Sequence, residues 1–570
     1  MKKTGAILGA VCILAIGLYF FVTARSGKVT AADFLPAETL VYVEQRDLGL
    51  LLADFKVSRL GRAVTGIDPM KIATDFGLAP EEINKIRDAR RLLDDFFNSP
   101  IFNEVVGQEL TLALLPVPDD ALDAPDKTAA GSLLFIVKPR HNTDLLEMMS
   151  SLFSRKLEQT SIQQGMHSIK QYRLEEEKIL SVVTVAGYVL AAFDERLVLA
   201  GLDRYDGKQN TLAQNKEYIR LRHDFIDAKL FAYVSMPALS GQTSRLAATL
   251  DLAQKEEIQK TLNQWKGWEG LAFGAWKEKG RIRDKAVVLF KKDKLNPLVA
   301  KMCSVQPVEN KTLAMVPADI LGYYWTNTMD MSTLWEMFTQ EMKDSTEQIK
   351  AMEQDVKTFT GVELHQLLAM FGSEAVFLLK EVATDGFIPL PNGAVFLKID
   401  KEEDFVKMLQ PLLIKMAIPV QSEDYKGVKL NTLGMSLHPG LQPVYALHQG
   451  YLVLASTVDL VKKVIDGGGL AGDALFQQVN QGLNQRLTKV NNSVSFVRVS
   501  SLLIMMKELA NWGGTMFSMQ SPEAALKSKV AIEQLILPLL DGLAMYEVIG
   551  SRSVIEDDAI IMESSIVLAP

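Results

Sequence analysis

The chain has 570 residues, 48% of them hydrophobic and 23% charged, with a formal net charge of −8. That length calls for more than one core, and the composition supplies ample apolar material for each. The acidic balance and the absence of any long Lys/Arg run exclude nucleic acid as the main partner, and two cysteines, Cys12 and Cys303, exclude a Cys-rich zinc site or an iron–sulfur cluster.

In chain order, the first signal is an uncharged run from Gly5 to Val22, preceded by Lys2 and Lys3. About 20 apolar residues span a bilayer as a helix, and the flanking lysines put the N-terminus in the cytoplasm and the body outside. Built on Ile7, Leu8, Val11, Ile13, Leu14, Ile16, Leu18 and Phe20, the run reads as a single-pass signal-anchor of the cytoplasmic membrane. The competing reading is a cleaved signal peptide ending at Val22-Thr23-Ala24 or Val29-Thr30-Ala31, which would leave a periplasmic or secreted body. The run is longer than the roughly 7–15 residues of a signal-peptide core, which favours the anchor. Cys12 follows Val11 rather than a small residue and is a poor lipoprotein acceptor.

Next comes "FLPAETLVYV" (34–43), a proline-led approach to a strand. Residues 80–99 start with Pro80 and acids, and Ile83, Ile86, Leu92 or Leu93, and Phe96 or Phe97 recur at helical spacing. "LFAYVSM" (230–236) reads as a strand, and "GLAFGAWKEKGRIRDKAVVLF" (270–290) as a hairpin. Trp265, Trp268 and Trp276 on the approach to that hairpin read as packing residues rather than a stacking platform for sugar or base. Asn and Pro then interrupt the pattern, and residues 293–312 read as a linker.

Beyond it the chain echoes itself. "MVPADILGYY" (315–324) repeats the approach at 34–43, with Tyr323 placed like Tyr42. "GSEAVFLLKEV" (372–382) follows "GQELTLALLPV" (107–117), and "GAVFLKIDKEEDFVKML" (393–409) follows "GSLLFIVKPRHNTDLLEMM" (131–149). "GYLVLASTVDLV" (450–461) follows "GYVLAAFDERLV" (187–198). "DGLAMYEVIGSRSVIEDDAII" (541–561) follows the first hairpin, with "GSRS" at its expected turn. Order and spacing are both kept, which reads as tandem duplication of a unit too long for a solenoid repeat. Hairpins dominate and strict βαβ alternation is absent. The expected class is therefore α+β, each unit a mainly antiparallel sheet with helices on one face.

Several motifs match chemical signatures only in part. A long polar-faced helix is expected over 331–359, broken near Asp344-Ser345. "GGGLAG" (467–472) has dinucleotide-loop spacing, but helical "TVDLVKKVID" (457–466) precedes it where a strand is required, so the glycines end a helix. "GMSLH" (434–438) puts His438 where a nucleophile elbow needs glycine. The six histidines (141, 167, 223, 365, 438 and 448) form no metal-binding spacing, and no cofactor is expected. The acid pairs Glu402-Glu403 and Asp557-Asp558 read as solvated turns. Residues 500–520 are the most apolar piece of the body. Met505, Met506, Trp512, Met516, Phe517 and Met519 make a candidate contact segment for lipid or an apolar peptide, against the blander reading of a helix buried against the sheet and broken at Gly513-Gly514.

With these pieces in place, the chain resembles a family of uncharacterised bacterial exported proteins. The resemblance rests on the Leu-Pro-Ala-acid-Thr opening with its tyrosine (35–42), "TGVEL" (360–364), "GSE" (372–374), "YKGV" (425–428) and "GYLVLA" (450–455). It implies an envelope location and a repeated α+β domain, and it brings no catalytic residues. The sequence thus leads to a segment at 1–30, one α+β domain at 31–292, a linker at 293–312 and a second domain at 313–570. Its leading functional expectation is a non-enzymatic, membrane-anchored envelope protein that binds or scaffolds an envelope protein or lipid. The alternatives are a periplasmic carrier for lipid or apolar peptide, and a hydrolase whose site is assembled from distant residues.

Overall fold

The computed structural model describes residues 29–97, 108–118, 122, 131–139, 159–173, 179–342, 345–383, 389–434 and 442–569. The expected membrane segment, His141 and His438 lie outside these residues. Among the described residues no helix is long and apolar enough to cross a membrane. The chain divides into two compact units: one runs up to Lys277 and takes in Ala286–Leu295, the other comprises Glu278–Lys285 and Asn296 onward.

The first unit holds β1 (Val41–Arg46), β2 (Glu109–Leu114), β3 (Leu133–Lys138), β4 (Gln159–Gln164), β5 (His167–Arg173), β6 (Ile179–Val185), β7 (Tyr188–Ala192), β8 (Leu230–Ser235), β9 (Trp268–Glu278) and β10 (Arg281–Phe290). They pair in the order β4-β5-β6-β7-β3-β2-β1-β8-β9-β10. Its helices are α1 (Leu48–Val57), α2 (Arg59–Gly66), α3 (Pro69–Asp75), α4 (Pro80–Phe97), α5 (Glu195–Tyr205), α6 (Lys216–His223), α7 (Met236–Ala248) and α8 (Leu252–Trp265). The second unit opens with α9 (Pro297–Met302) and a two-residue strand β11 (Val308–Glu309). Then come β12 (Gly322–Thr326), α10 (Met331–Glu341), α11 (Thr346–Thr360), α12 (Leu364–Leu368), β13 (Phe371–Ala383), β14 (Leu390–Ile399), α13 (Glu402–Lys415), β15 (Val420–Tyr425), β16 (Val428–Leu433), β17 (Val444–His448) and β18 (Tyr451–Ala455). It ends with α14 (Val458–Asp466), α15 (Ala474–Gly482), β19 (Val490–Asn491), β20 (Ser493–Arg498), α16 (Val499–Ser518), α17 (Pro522–Ala531), a π turn (Ile532–Ile536), α18 (Leu537–Leu543), β21 (Tyr546–Ile555) and β22 (Ala559–Leu568). Short β11 pairs only with β19. The other ten strands pair as β15-β16-β17-β18-β14-β13-β12-β20-β21-β22, the order of the first unit strand for strand. All the pairs with a described register are antiparallel, so the fold is α+β.

Period-2 alternation sets the faces. In the second unit Tyr323, Trp325, Val376, Phe396, Val453 and Phe496 point to one side, where Leu460, Val464, Phe476 and Val479 from α14 and α15 close the core. Thr457 and Asp473 start those helices by accepting backbone N–H bonds from Leu460 and from Leu475 and Phe476. Helices also reach the opposite face: Phe405 and Met408 of α13 pack with Met370, Ile399 and Leu452. The expectation of helices on one face is therefore corrected, because the strands here are apolar on both sides.

The Pro-Ala-acid stretches have a shared structural job. In the first unit Pro36 bridges to Thr211, and Leu212 N–H donates to Leu35 O at 2.8 Å. In the second, Gly469 N–H donates to Val316 O at 3.1 Å. Gly467 closes α14 with φ +92, and a Cβ on Gly468 would meet the carbonyl oxygens of Leu313, Ala314 and Val316. "GGGLAG" is thus a close backbone approach after a helix.

Two details differ from the sequence expectations and a third agrees. The second hairpin does not turn at "GSRS": β21 runs through it, and the turn falls at 556–558. Residues 500–520 form one continuous helix with no break at Gly513-Gly514, and Leu503 is its only buried residue. Gly514 is there for contact, since a Cβ on it would strike Ile532 Cδ1. The break expected in 331–359 is present, between Glu341 and Thr346.

Candidate functional site

On β1, alternation turns Tyr42, Glu44 and Arg46 toward the helices of the first unit. Glu44 is buried and held by three partners. Its Oε2 accepts from Tyr42 OH at 2.5 Å, and its Oε1 meets Arg222 Nη2 and Arg46 Nε, each at 2.7 Å. Arg222 comes from α6, which Asn215 caps, and its guanidinium lies 4.4 Å from the Phe231 ring. Register places Glu109 of β2 between Arg46 and Lys138. Lys138 Nζ lies 5.0 Å from the Tyr188 ring. Thr111, opposite Glu44, is fully buried and its Oγ1 has no hydrogen-bond partner.

Burial, and then the Glu44 charge, push the Glu109 carboxyl up to about 7, against the pull of Arg46, Lys138 and Arg222. The same burial, with Glu109 and Glu44 nearby, holds the Tyr188 phenol well above its ordinary range. No described residue donates a hydrogen bond to Glu109. The cluster can carry a proton near neutral pH, a property enriched at functional sites and also found in structural ion-pair networks.

The second unit keeps part of this arrangement. Glu374 Oε2 accepts from Tyr451 OH at 2.8 Å and from Trp325 Nε1 at 3.1 Å, and Lys398 Nζ lies 4.7 Å from the Tyr451 ring. Tyr323 OH bonds to Asn310 Nδ2 at 2.6 Å and Thr312 Oγ1 at 3.0 Å. By strand order Trp325 stands where the first unit has Glu44, and Asn480 of α15 where it has Arg222. Asn480 bonds to Gln485 and to Leu487 N–H rather than to a charge.

Two open surfaces belong to the second unit. On the sheet face away from α14 and α15, Tyr324, Phe377, Val395 and Leu454 lie in register across four strands. Tyr324, Phe377 and Leu454 are exposed, and the Tyr324 and Phe377 rings are 6.3 Å apart. A cleft of about 540 Å³ lies between α12 and α13. Val362, Met370, Met408 and Pro411 supply its apolar wall, and His365, Lys401, Asp404 and Lys407 its polar one.

Of the residues singled out in the sequence, Met505, Trp512 and Met516 are half-buried, and Met506, Phe517 and Met519 are exposed along α16 and just past its end. The tryptophans pack as expected, Trp276 stacked on Phe225 at 5.8 Å and Trp268 edge-on to Phe290 at 5.9 Å. His448 Nε2 is buried without a partner, and burial lowers its pKa. Among the described residues no group of three His, Cys, Asp or Glu side chains could hold a metal. The sheet-face row escaped sequence reading, although uninterrupted apolar runs such as "AVFLL" and "YLVLA" signal strands covered on both sides. The Glu44–Arg222 pair left no local signal.

Residues 103–375 match a family model described as "Protein of unknown function (DUF3352)". This agrees with an uncharacterised family. No curated protein matches. Two solved structures are similar: crystal form III of TP0453 (9% identity, TM-score 0.24, covering 50% of this chain and 90% of that one) and crystal form I (8%, 0.24, 49% and 85%). Likeness at that TM-score bears on neither fold nor function.

Proposed function

We propose that the chain is a non-enzymatic envelope protein, held at the cytoplasmic membrane by residues 5–22, with its body outside the cytoplasm as a binding or scaffolding module. The observation that carries the binding role is the in-register row Tyr324–Phe377–Val395–Leu454 on an open sheet face. Aromatic side chains already held rigid by a hydrogen-bonded sheet lose little freedom on contact, and they are enriched at protein interfaces. The occupant we assign is an envelope protein. A photo-crosslinking residue at Phe377 in the native envelope should yield a discrete protein adduct that a control at exposed Lys260 lacks. Equal labelling at both positions removes this reading.

We also infer that the two units descend from one duplicated domain. Identical strand order supports it, as do the paired Glu109/Glu374, Lys138/Lys398 and Tyr188/Tyr451. The family match runs from ahead of β2 into β13, its counterpart, a span of one period. A crystal structure whose two sets of ten strands failed to superpose in this order would sink the inference.

A second reading is carriage of a lipid or apolar peptide, which the mixed lining of the α12–α13 cleft favours. Native mass spectrometry of the purified chain tests it. A spectrum free of co-purifying small molecules, together with no uptake of an apolar dye, counts it out.

A further inference from the structure

We infer that the turn joining α16 to α17 inserts into the interfacial layer of a lipid bilayer; this rests on the membrane tether proposed above. From Leu509 to Pro522 the chain carries no charge, bounded by Glu508 and Glu523. Phe517 is 57% exposed and Met519 64%, while Trp512 and Met516 are half-buried one turn back. Apolar exposure continues at Leu526. The nearest lysines are neutralised in pairs set back from the turn, Lys507 with Asp541 at 2.5 Å and Lys527 with Glu523 at 2.6 Å. An uncharged apex bearing Phe and Met, with Trp behind it, matches the gradient of a bilayer surface, where aromatic side chains settle at headgroup level.

The fold does not require such an apex. The first unit has the same connection, α7 to α8, between β8 and β9. There Arg245 sits in the last turn of α7, and Asp251 caps α8 by accepting from Gln254 N–H at 2.9 Å. A charged residue, Asp251, caps the second helix in the first unit, whereas uncharged Ser521 caps it in the second and the nearest charge is Glu523 in the first turn of α17.

A bilayer is also within reach. The uncharged run ends at Val22 and the described structure begins at Val29, and the six residues between them extend at most about 20 Å. A tether that short holds the start of the first unit near the membrane, which raises the local concentration of lipid around the body.

The test uses the full chain made cysteine-free (Cys12→Ser, Cys303→Ser), with one cysteine returned as Phe517→Cys or, for the control, Leu252→Cys beside the turn of the first unit. Each is labelled with an environment-sensitive dye and reconstituted on vesicles of phosphatidylcholine and phosphatidylglycerol, with and without doxyl-labelled lipid. The label at 517 should show a blue-shifted emission and lose intensity to the doxyl lipid, while that at 252 changes in neither respect. A chain that floats with the vesicles and leaves the 517 label unquenched overturns insertion and leaves the tether standing. A chain that fails to float overturns both. In cells, a photo-crosslinker at 517 should capture lipid, and a discrete protein adduct in its place overturns the assignment.

Discussion

The inner end of the central strand is wired differently in the two units. In the second, Trp325 fills the space and its indole N–H, with Tyr451 OH, satisfies Glu374 from two directions. In the first, Glu44 occupies that position and must bring Arg222 and Arg46 with it to remain buried. Burial, with the Glu44 charge nearby, then holds the Glu109 proton to about pH 7. One scaffold therefore tolerates either an apolar plug or a buried ion network at the same place. The network places a carboxyl that titrates near neutral pH in the first unit.

Five substitutions break or sharpen this contrast, each read by chemical denaturation with hydrogen exchange to assign the effect to a unit. Trp325→Ala should be the most damaging, at about 4 kcal/mol, because it empties a fully buried site and removes one of the two donors to Glu374. A loss confined to the first unit would contradict it. Arg222→Met should cost about 3 kcal/mol in the first unit, since Glu44 keeps only Arg46 as a charged partner, with Tyr42 OH. Adding Glu44→Leu to Arg222→Met should restore most of that loss, because apolar replacement of both partners of a buried pair is close to neutral. No recovery would show that the network does more than offset its own burial.

Glu109→Gln should act with the opposite sign. The folded chain holds a proton on Glu109 to about pH 7, whereas the unfolded chain releases it near the ordinary 4.5. Stability therefore falls as pH rises through that window, and the full penalty is present above it. The variant should be more stable than the parent by about 2 kcal/mol at pH 8, allowing for partial exposure, with the gap closing by pH 4.5. A gap independent of pH would refute the assignment. The smallest effect belongs to Phe517→Ser, which should change stability by less than about 0.5 kcal/mol because the ring is exposed. A larger change would mean that the ring packs within the unit.

Much of the fold was legible in the sequence because its signals are local. The first hairpin, the Pro80 helix and the helix ahead of "GGGLAG" each follow from residues within a dozen positions of one another. "GSRS" misled because glycine and serine favour turns. Here Ser551 and Ser553 bond across the ladder to Ser495 and Ser493, each at 2.6 Å, and Gly550 is small because Val479 packs against it. The helix at 499–518 misled because composition reports apolarity without saying what covers it. The buried network was invisible for a third reason: Glu44 and Arg222 are joined only through the sheet, and no spacing rule reaches that far.

In both ten-strand sets the strand made first lies between two later ones. β1 pairs with β2 on one side and with β8 on the other, so Tyr42 waits for Tyr233; β12 likewise lies between β13 and β20, so Tyr323 waits for Phe496. Until those late strands are synthesised, each central strand has one ladder of N–H and C=O groups unmet. Closing loops of that length is slow, and an open edge is the surface on which chains pair wrongly. For this architecture the vulnerable interval is measured in time rather than in free energy, and it ends only when the last third of each unit has been delivered.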